Sequence, residues 1–396
     1  MANAMQNRRS SIAFALDRAS ITLVLAAILA VGVITSQPAQ AQSFLSLYSF
    51  AGGATGGLPY APLVQDSQGN LYGTAYAEGT YQCGVVFKVD ANGNETVLHE
   101  FMGGASDGEA PFSSLLLDKA GNLYGTTELG GTYGSGTVFK LEPSGKLILL
   151  YSFTGSVDGA IPAGGLIRDK LGNFYGTTEE GGSSGAGNVF RLSKKGKLTT
   201  LHSFNGTDGM FPTWTNLIRD KQGNIFGVTL QGGASNFGVV YKLNQKGKFT
   251  LLHSFTGGTN DGCQIYGIPA MDKQGNIYGT AEACGANSYG LVWKVTPKGA
   301  ETILHAFEAT DGAFPYAGVV LDGKGDLYGN TSVAAGSYGT VFQMSVEGGG
   351  VTVLHNFEES DGANPYGGVI YSKGKIYGTT GVGGSSSYGT VWVVAP

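Results

Sequence analysis

The sequence predicts an all-β fold: a seven-bladed β-propeller with four antiparallel strands per blade and a ring closed by its N-terminal strand. Three observations predict it. Similar tetrapeptides close on Phe50, Phe101, Phe153, Phe204, Phe255, Phe307 and Phe357, at spacings of 50 to 52 residues. A period of that length belongs to repeat architectures. Each period holds four short runs rich in Leu, Val, Ile, Phe, Tyr and Thr, the residues that suit strands. The two ends of the repeat region are complementary fragments. It begins with a fourth strand, FLSLYSF (44–50), and ends just after a third, GTVWVV (389–394). The first fragment supplies what the last blade lacks, and closure removes the exposed edges of an open array.

In chain order, the first element is a targeting segment. Arg8, Arg9 and Arg18 precede an apolar run from Ile21 to Ile34, and Ala39-Gln40-Ala41 follows. This is the pattern of a secretory signal peptide over residues 1–41, cleaved before Gln42. The apolar run is shorter than the ~20 residues a membrane span needs, so no stable span is expected after cleavage. Residues 42–396 then form a single propeller domain. Blade two shows the repeating elements: SLLLD (114–118), NLYGTT (122–127), GTVFKL (136–141) and LILLYSF (147–153). Short turns join the first strand to the second and the third to the fourth. Longer loops, ELGGTYGS (128–135) and TGSVDGAIP (154–162), make the other two connections and should share one face of the ring. A Gly follows the aromatic residue of every second strand (Gly73, Gly125, Gly176, Gly227, Gly279, Gly329, Gly378). It is read as a point of close approach, with an aromatic of the adjacent blade as the expected neighbour.

Composition agrees and excludes some functions. The chain has 67 Gly in 396 residues and is only 13% charged, which strands and turns absorb but long helices do not. With 20 Phe, 20 Tyr and 3 Trp it fills a core readily. Without residues 1–41 the net charge is −7, from 21 basic and 28 acidic residues, and there is no basic run. Nucleic acid is therefore not an expected partner.

The strings DKAGNLYGTTELGGTYGSGTVFKL (118–141) and DKLGNFYGTTEEGGSSGAGNVFRL (169–192) resemble the tandem GloVer repeat of bacterial exported proteins. The resemblance covers nearly all of residues 44–396. It implies export but no particular activity. Members of that family resemble one another in a variable C-terminal anchor. This sequence stops at Pro396, straight after a strand, and is read as a free secreted or periplasmic monomer.

Candidate chemistry is sparse. His99, His202, His253, His305 and His355 all occupy one slot of the fourth strand, which Tyr48 and Tyr151 fill in the other two blades. A residue repeated with the period and exchangeable with Tyr is most simply a packing residue. Asp107, Asp158, Asp208, Asp261, Asp311 and Asp361 each precede a Gly in the loop leading into a blade, where blade one has Thr55-Gly56. Such residues read as turn formers; one Asp per blade does not imply a metal site, and no cofactor is expected. There is no nucleophile elbow, Walker loop, H-E-x-x-H or C-x-x-C.

Function in a propeller sits where the repeat is broken. After the TT slot stand Glu128, Glu179 and Glu282, against Tyr76, Leu230, Val333 and Gly381 in the other blades, and Glu180 adjoins Glu179. Trp214 stands at the start of blade four, with Tyr60, Tyr266, Tyr316 and Tyr366 near equivalent positions. The candidate ligand face is therefore Glu128, Glu179, Glu180, Trp214 and Tyr76, and its aromatics suit stacking on a sugar. The leading expectation is a binding or interaction module for a carbohydrate or another envelope protein. A lyase or glycosidase using the Glu-bearing loops and a purely structural envelope component are the alternatives. Convergence of Glu128, Glu179 and Glu180 in one aromatic-walled pocket would favour the enzyme. Finally, Cys263 and Cys284 lie 21 positions apart in two loops of blade five and are expected to form a disulfide, leaving Cys83 unpaired.

Overall fold

The computed structural model describes residues 43–396; the expected signal peptide lies outside the described residues. They form seven four-stranded antiparallel sheets arranged as a seven-bladed propeller. Blade one comprises strands Val64–Gln65, Leu71–Ala75, Val85–Val89 and Glu95–Glu100, running from the central channel outward. Blades two to six repeat this order, and their outermost strands are Leu147–Ser152, Leu198–Ser203, Phe249–Ser254, Glu301–Ala306 and Thr352–Asn356. Blade seven is composite. Ile370–Ser372, Lys375–Thr380 and Thr390–Ala395 are completed by Ser43–Ser49, which pairs antiparallel with Thr390–Ala395 from Ser43↔Ala395 to Ser49↔Thr390. Among the described residues no helix is long and apolar enough to cross a membrane.

The turn between first and second strands explains the D-x-x-G-N-x-Y string. The Asp66 carboxylate accepts hydrogen bonds from the Gln68 and Asn70 backbone N–H (both 2.9 Å), the Asn70 amide (2.7 Å) and the Tyr72 hydroxyl (3.1 Å). Asp118, Asp169 and Asp272 repeat it with Tyr124, Tyr175 and Tyr278. Between third and fourth strands the register slips by a bulge in every blade, as between Val138 and Phe139, which bends and twists the outer edge.

The core lies between blades. The Phe that closes each tetrapeptide is wholly buried and meets, edge to face, the third-strand aromatic of the next blade: Phe50 on Phe87 at 5.0 Å, Phe153 on Phe190 at 5.3 Å, Phe357 on Trp392 at 5.5 Å. That aromatic in turn lies across the second-strand Gly of its own blade. Gly73 is directly opposite Phe87, and a Cβ on Gly73 would sit 2.5 Å from the Phe87 ring. The expectation that this Gly faces an aromatic of the adjacent blade is thus corrected. The ring comes from the neighbouring strand of the same sheet, because directly opposed residues in an antiparallel pair project to the same face. The adjacent blade enters one step later, through the Phe.

Candidate functional site

In each blade the loop from the outermost strand to the next innermost strand holds a non-glycine residue in the left-handed region at one equivalent position: Leu58, Ala110, Ile161, Phe211, Gln264, Phe314 and Asn364, with φ from 53° to 59°. Left-handed non-glycine residues cost energy and persist only where their surroundings hold them. Here each carbonyl accepts a hydrogen bond of 2.9–3.1 Å from the backbone N–H of Tyr76, Glu128, Glu179, Leu230, Glu282, Ser332 or Gly381. This bond joins the two long loops of every blade, so both lie on one face as expected. It also defines the slot after the TT pair. In blade six that residue is Ser332 and not Val333, since the Asn330-Thr331 pair there aligns with Thr126-Thr127 and leaves Ser332 next.

Two residues beyond the left-handed position stand Tyr60, Phe112, Tyr266, Tyr316 and Tyr366; blade three has Ala163 there. Blade four has one extra residue between Pro212 and Leu217, which brings Trp214 (φ 51°) across the space left by Ala163 and onto Phe112. The result is a closed ring of six aromatic side chains. Ring centres are 5.5 Å apart for Tyr60–Phe112, 5.2 Å for Phe112–Trp214, 5.3 Å for Trp214–Tyr266, 5.4 Å for Tyr266–Tyr316, 4.9 Å for Tyr316–Tyr366 and 5.8 Å for Tyr366–Tyr60. These aromatics wall a cavity of about 260 Å³, whose few polar side chains besides the tyrosine hydroxyls and the indole are Ser113, Ser114 and Asn216. Pro62, Ser114, Asn216, Ile268, Gly318 and Gly368 also border the central channel, of about 570 Å³. Asn216 bridges this throat over blade three. Its amide donates to Ser114 Oγ (2.6 Å) and its carbonyl oxygen accepts from Gly165 N–H (2.7 Å).

The sequence-predicted residues distribute around this ring. Tyr76 is half-buried against Tyr60 (5.9 Å) and Phe112 (5.5 Å). Glu128 lies behind Trp214; burial, reinforced by the charge of Glu179, pushes its carboxyl up to about 7 against the hydrogen bond of the Trp214 side chain. Glu179 accepts a 2.7 Å hydrogen bond from the Thr213 hydroxyl and is likewise raised by burial. Glu282 is raised by burial, with the Tyr316 hydroxyl bonding to it. Burial and the charges of Glu282 and Glu179 push the Tyr266 hydroxyl up to about 12. Glu180 is exposed beside Glu179. The three half-buried carboxylates are thus tied to the residues that carry the aromatic wall, and no Glu or Asp lines the cavity. Phe112, missed in the sequence, follows the Pro111 of the same loop motif as Tyr60 follows Pro59, and that alignment is the signal for it.

The histidines lie on the outer strands, and the structure pairs them with the Asp residues of the following loops: His99–Asp107 3.2 Å, His202–Asp208 3.0 Å, His305–Asp311 2.9 Å, His355–Asp361 3.0 Å and, longer, His253–Asp261 3.6 Å. Tyr151 makes the same contact with Asp158 at 2.9 Å. The carboxylates also accept loop N–H groups, as Asp311 does from Glu308 at 2.9 Å, which is the turn role expected of them. Burial lowers His202 and His355. Cys263 and Cys284 form the disulfide, with Cα atoms 5.6 Å apart, and Cys83 is free.

Comparison with known proteins places this geometry. A profile of the Gloeobacter/Verrucomicrobia repeat matches residues 30–220 and 213–396. No curated protein matches. Among solved structures, virginiamycin B lyase from Staphylococcus aureus is similar at 11% identity, covering 90% of this chain and 99% of its own, with a TM-score of 0.59. A puromycin hydrolase is similar at 12% identity over 82% of this chain and 50% of its own, with a TM-score of 0.50. At such identities the likeness is one of fold.

Proposed function

The chain belongs to the Gloeobacter/Verrucomicrobia repeat family, and from that premise we propose that it is an exported binding module that takes a carbohydrate at its aromatic mouth. The observation that carries this reading is the closed six-membered aromatic ring around a cavity without acidic or basic side chains. Aromatic walls with a few fixed polar groups are the usual make-up of a small-ligand site. The C–H surfaces of a sugar pack on such rings, and the Ser114 hydroxyl and Asn216 amide, which border both the cavity and the channel, supply hydrogen bonds. A volume of about 260 Å³ suits one sugar unit or a chain end better than the middle of a long polymer. The Cys263–Cys284 disulfide supports export, since such bonds persist in oxidising compartments.

A second reading rests on Glu128. A carboxyl with its pKa near 7 beside Glu179 has the make-up of a general acid next to a carboxylate, as a glycosidase or lyase would use. Against it stands the tethering of both groups behind the wall.

The test is a glycan-array screen of the mature protein, followed by titration calorimetry on any hit and an assay for polysaccharide breakdown. The proposal expects binding without turnover, a loss of at least about tenfold in affinity for Trp214→Ala, as for a buried aromatic anchor, and no change for Glu180→Ala. Turnover that disappears in Glu128→Gln would replace it with the enzymatic reading.

A further inference from the structure

The boundary between blades four and five differs from the other six. His253 stands in the outermost strand of blade four, Asp261 in the loop that follows and Glu301 at the start of the outermost strand of blade five. One imidazole nitrogen and one oxygen from each carboxylate lie within 4.8 Å of one another. Elsewhere the place of Glu301 is taken by Phe44, Leu147, Leu198, Phe249 and Val351, and by Glu95 in blade one. Phe44 and Phe249 cover the neighbouring imidazoles, stacking on His355 at 3.6 Å and on His202 at 4.1 Å. Glu95 meets Tyr48 and a loop with Thr55 in place of Asp. Imidazole and two carboxylates therefore coincide at one boundary.

Three details bear on what these groups hold. Glu301 Oε1 and His253 Nε2 are buried with no hydrogen-bond partner, a costly state for a polar atom; Glu95 Oε1 and His202 Nε2 share it singly, but only at this boundary do two such atoms stand together beside an Asp carboxylate. The His–Asp contact opens to 3.6 Å here, against 2.9–3.2 Å in the other four His-bearing blades. Asp261 is held in place by the Thr256 N–H (2.7 Å), the Thr256 hydroxyl (2.8 Å) and the Gly262 N–H (2.7 Å). The Cys263–Cys284 disulfide pins the same loop two residues further on. The charged groups acting on Glu301 are Asp261 and His253, so two carboxylates face one imidazole in a half-buried site.

We propose that His253, Asp261 and Glu301 hold a divalent transition-metal ion, with zinc the best fit, that ties blade four to blade five at the rim of the ring. Imidazole favours zinc and its first-row neighbours over calcium and magnesium, and three protein ligands leave one position of a tetrahedral ion for water. The site is separate from the aromatic mouth, so it stands or falls independently of ligand binding there.

The test uses the mature chain, freed of metal by chelator and titrated with Zn²⁺ by calorimetry, with Co²⁺ absorption as a report of coordination. The parent should bind one zinc per chain, and its melting temperature should rise with zinc and fall with chelator. Glu301→Gln and His253→Tyr should each weaken binding by at least about tenfold, a loss of the size seen when metal-site partners are removed. His253→Tyr copies the Tyr151–Asp158 contact of blade two and so keeps the fold. Glu95→Gln should bind as the parent does. Absence of a saturable zinc site in the parent, a site that prefers calcium, or unchanged affinity in both Glu301→Gln and His253→Tyr would overturn the assignment.

Discussion

Removing residues 43–50 should bring the propeller close to its unfolding limit. These residues complete blade seven. Phe50 is wholly buried and meets Phe87 of blade one at 5.0 Å. Phe44 packs on His355, Phe357 and Trp392, and Leu47 and Tyr48 pack against the core shared by blades seven and one. Burying such a side chain contributes about 1.5–3 kcal/mol when complete. Four of them, three only partly buried, amount to roughly 4–8 kcal/mol, before any cost of unpairing the Thr390–Ala395 strand. Whole domains are stable by about 5–15 kcal/mol. Phe50→Ala alone should cost about 3–5 kcal/mol, a fall in melting temperature on the order of 5–10 °C for a chain of this size. Calorimetry and urea titration measure both variants, and light scattering follows aggregation through the bared edge. A synthetic peptide of residues 43–50 should restore the deleted form. A deletion that melts with the parent, or a peptide without effect on a destabilised deletion, would show that this strand does not close the ring.

Other consequences are equally direct. The Tyr241 hydroxyl is buried with no hydrogen-bond partner, and four blades use Phe at its place, so Tyr241→Phe should be neutral or stabilise by up to about 1 kcal/mol in urea. His305→Tyr should stay within about 1 kcal/mol of the parent, whereas Asp311→Ala, which strips partners from His305 and the Glu308 N–H, should cost about 1–3 kcal/mol. Glu128 holds its proton more tightly folded than unfolded, with its pKa raised from 4.5 to about 7. Its contribution is fully present below pH 4.5 and is lost as pH rises through 7, so Glu128→Gln should match the parent at pH 4 and exceed it at pH 8 by at most about 3 kcal/mol. Replacing Cys263 and Cys284 by Ser should cost about 3 kcal/mol, and thiol titration of the folded parent should find one reactive group, Cys83.

The architecture was legible because every blade repeats the same physical problem: two sheets, a Phe between them and a Gly to make room. What a single period could not show was which repeated positions touch. The repeat marks the His and Asp slots as equivalent from blade to blade, but their contact bridges a loop of variable length, six residues from His305 to Asp311 and eight from His99 to Asp107. The joint departure of blade seven, Tyr48 with Thr55, was the visible trace of it. Trp214 stands out as a break in the pattern and the tyrosines as a repeated slot. That they close into one ring depends on the small Ala163 leaving a gap that an inserted residue in the next blade fills, which is a matter of packing across blades. The carboxylates Glu128 and Glu179 stand in the sequence as departures from the repeat, but their tethers are an indole and a hydroxyl from a blade one or two steps away, beyond the reach of local pattern. Glu180 shares its neighbour's loop but not its surroundings, since adjacent residues on an extended segment point to opposite sides.

The placement of the tryptophans gives the molecule an optical handle of its own. Trp293 and Trp392 are 1% and 0% exposed, deep between blades, while Trp214, at 39%, stands on the aromatic ring. Iodide or acrylamide in solution will reach one indole emitter of three, the one at the mouth. Whatever settles on that ring shields it from the quencher and shifts its emission, while the two interior indoles serve as a constant background. Because the Glu128 carboxyl sits against the same indole, the emission should also follow the ionisation of that one group. Occupancy and protonation of a single face can thus be read from the unlabelled protein, in the light it already emits.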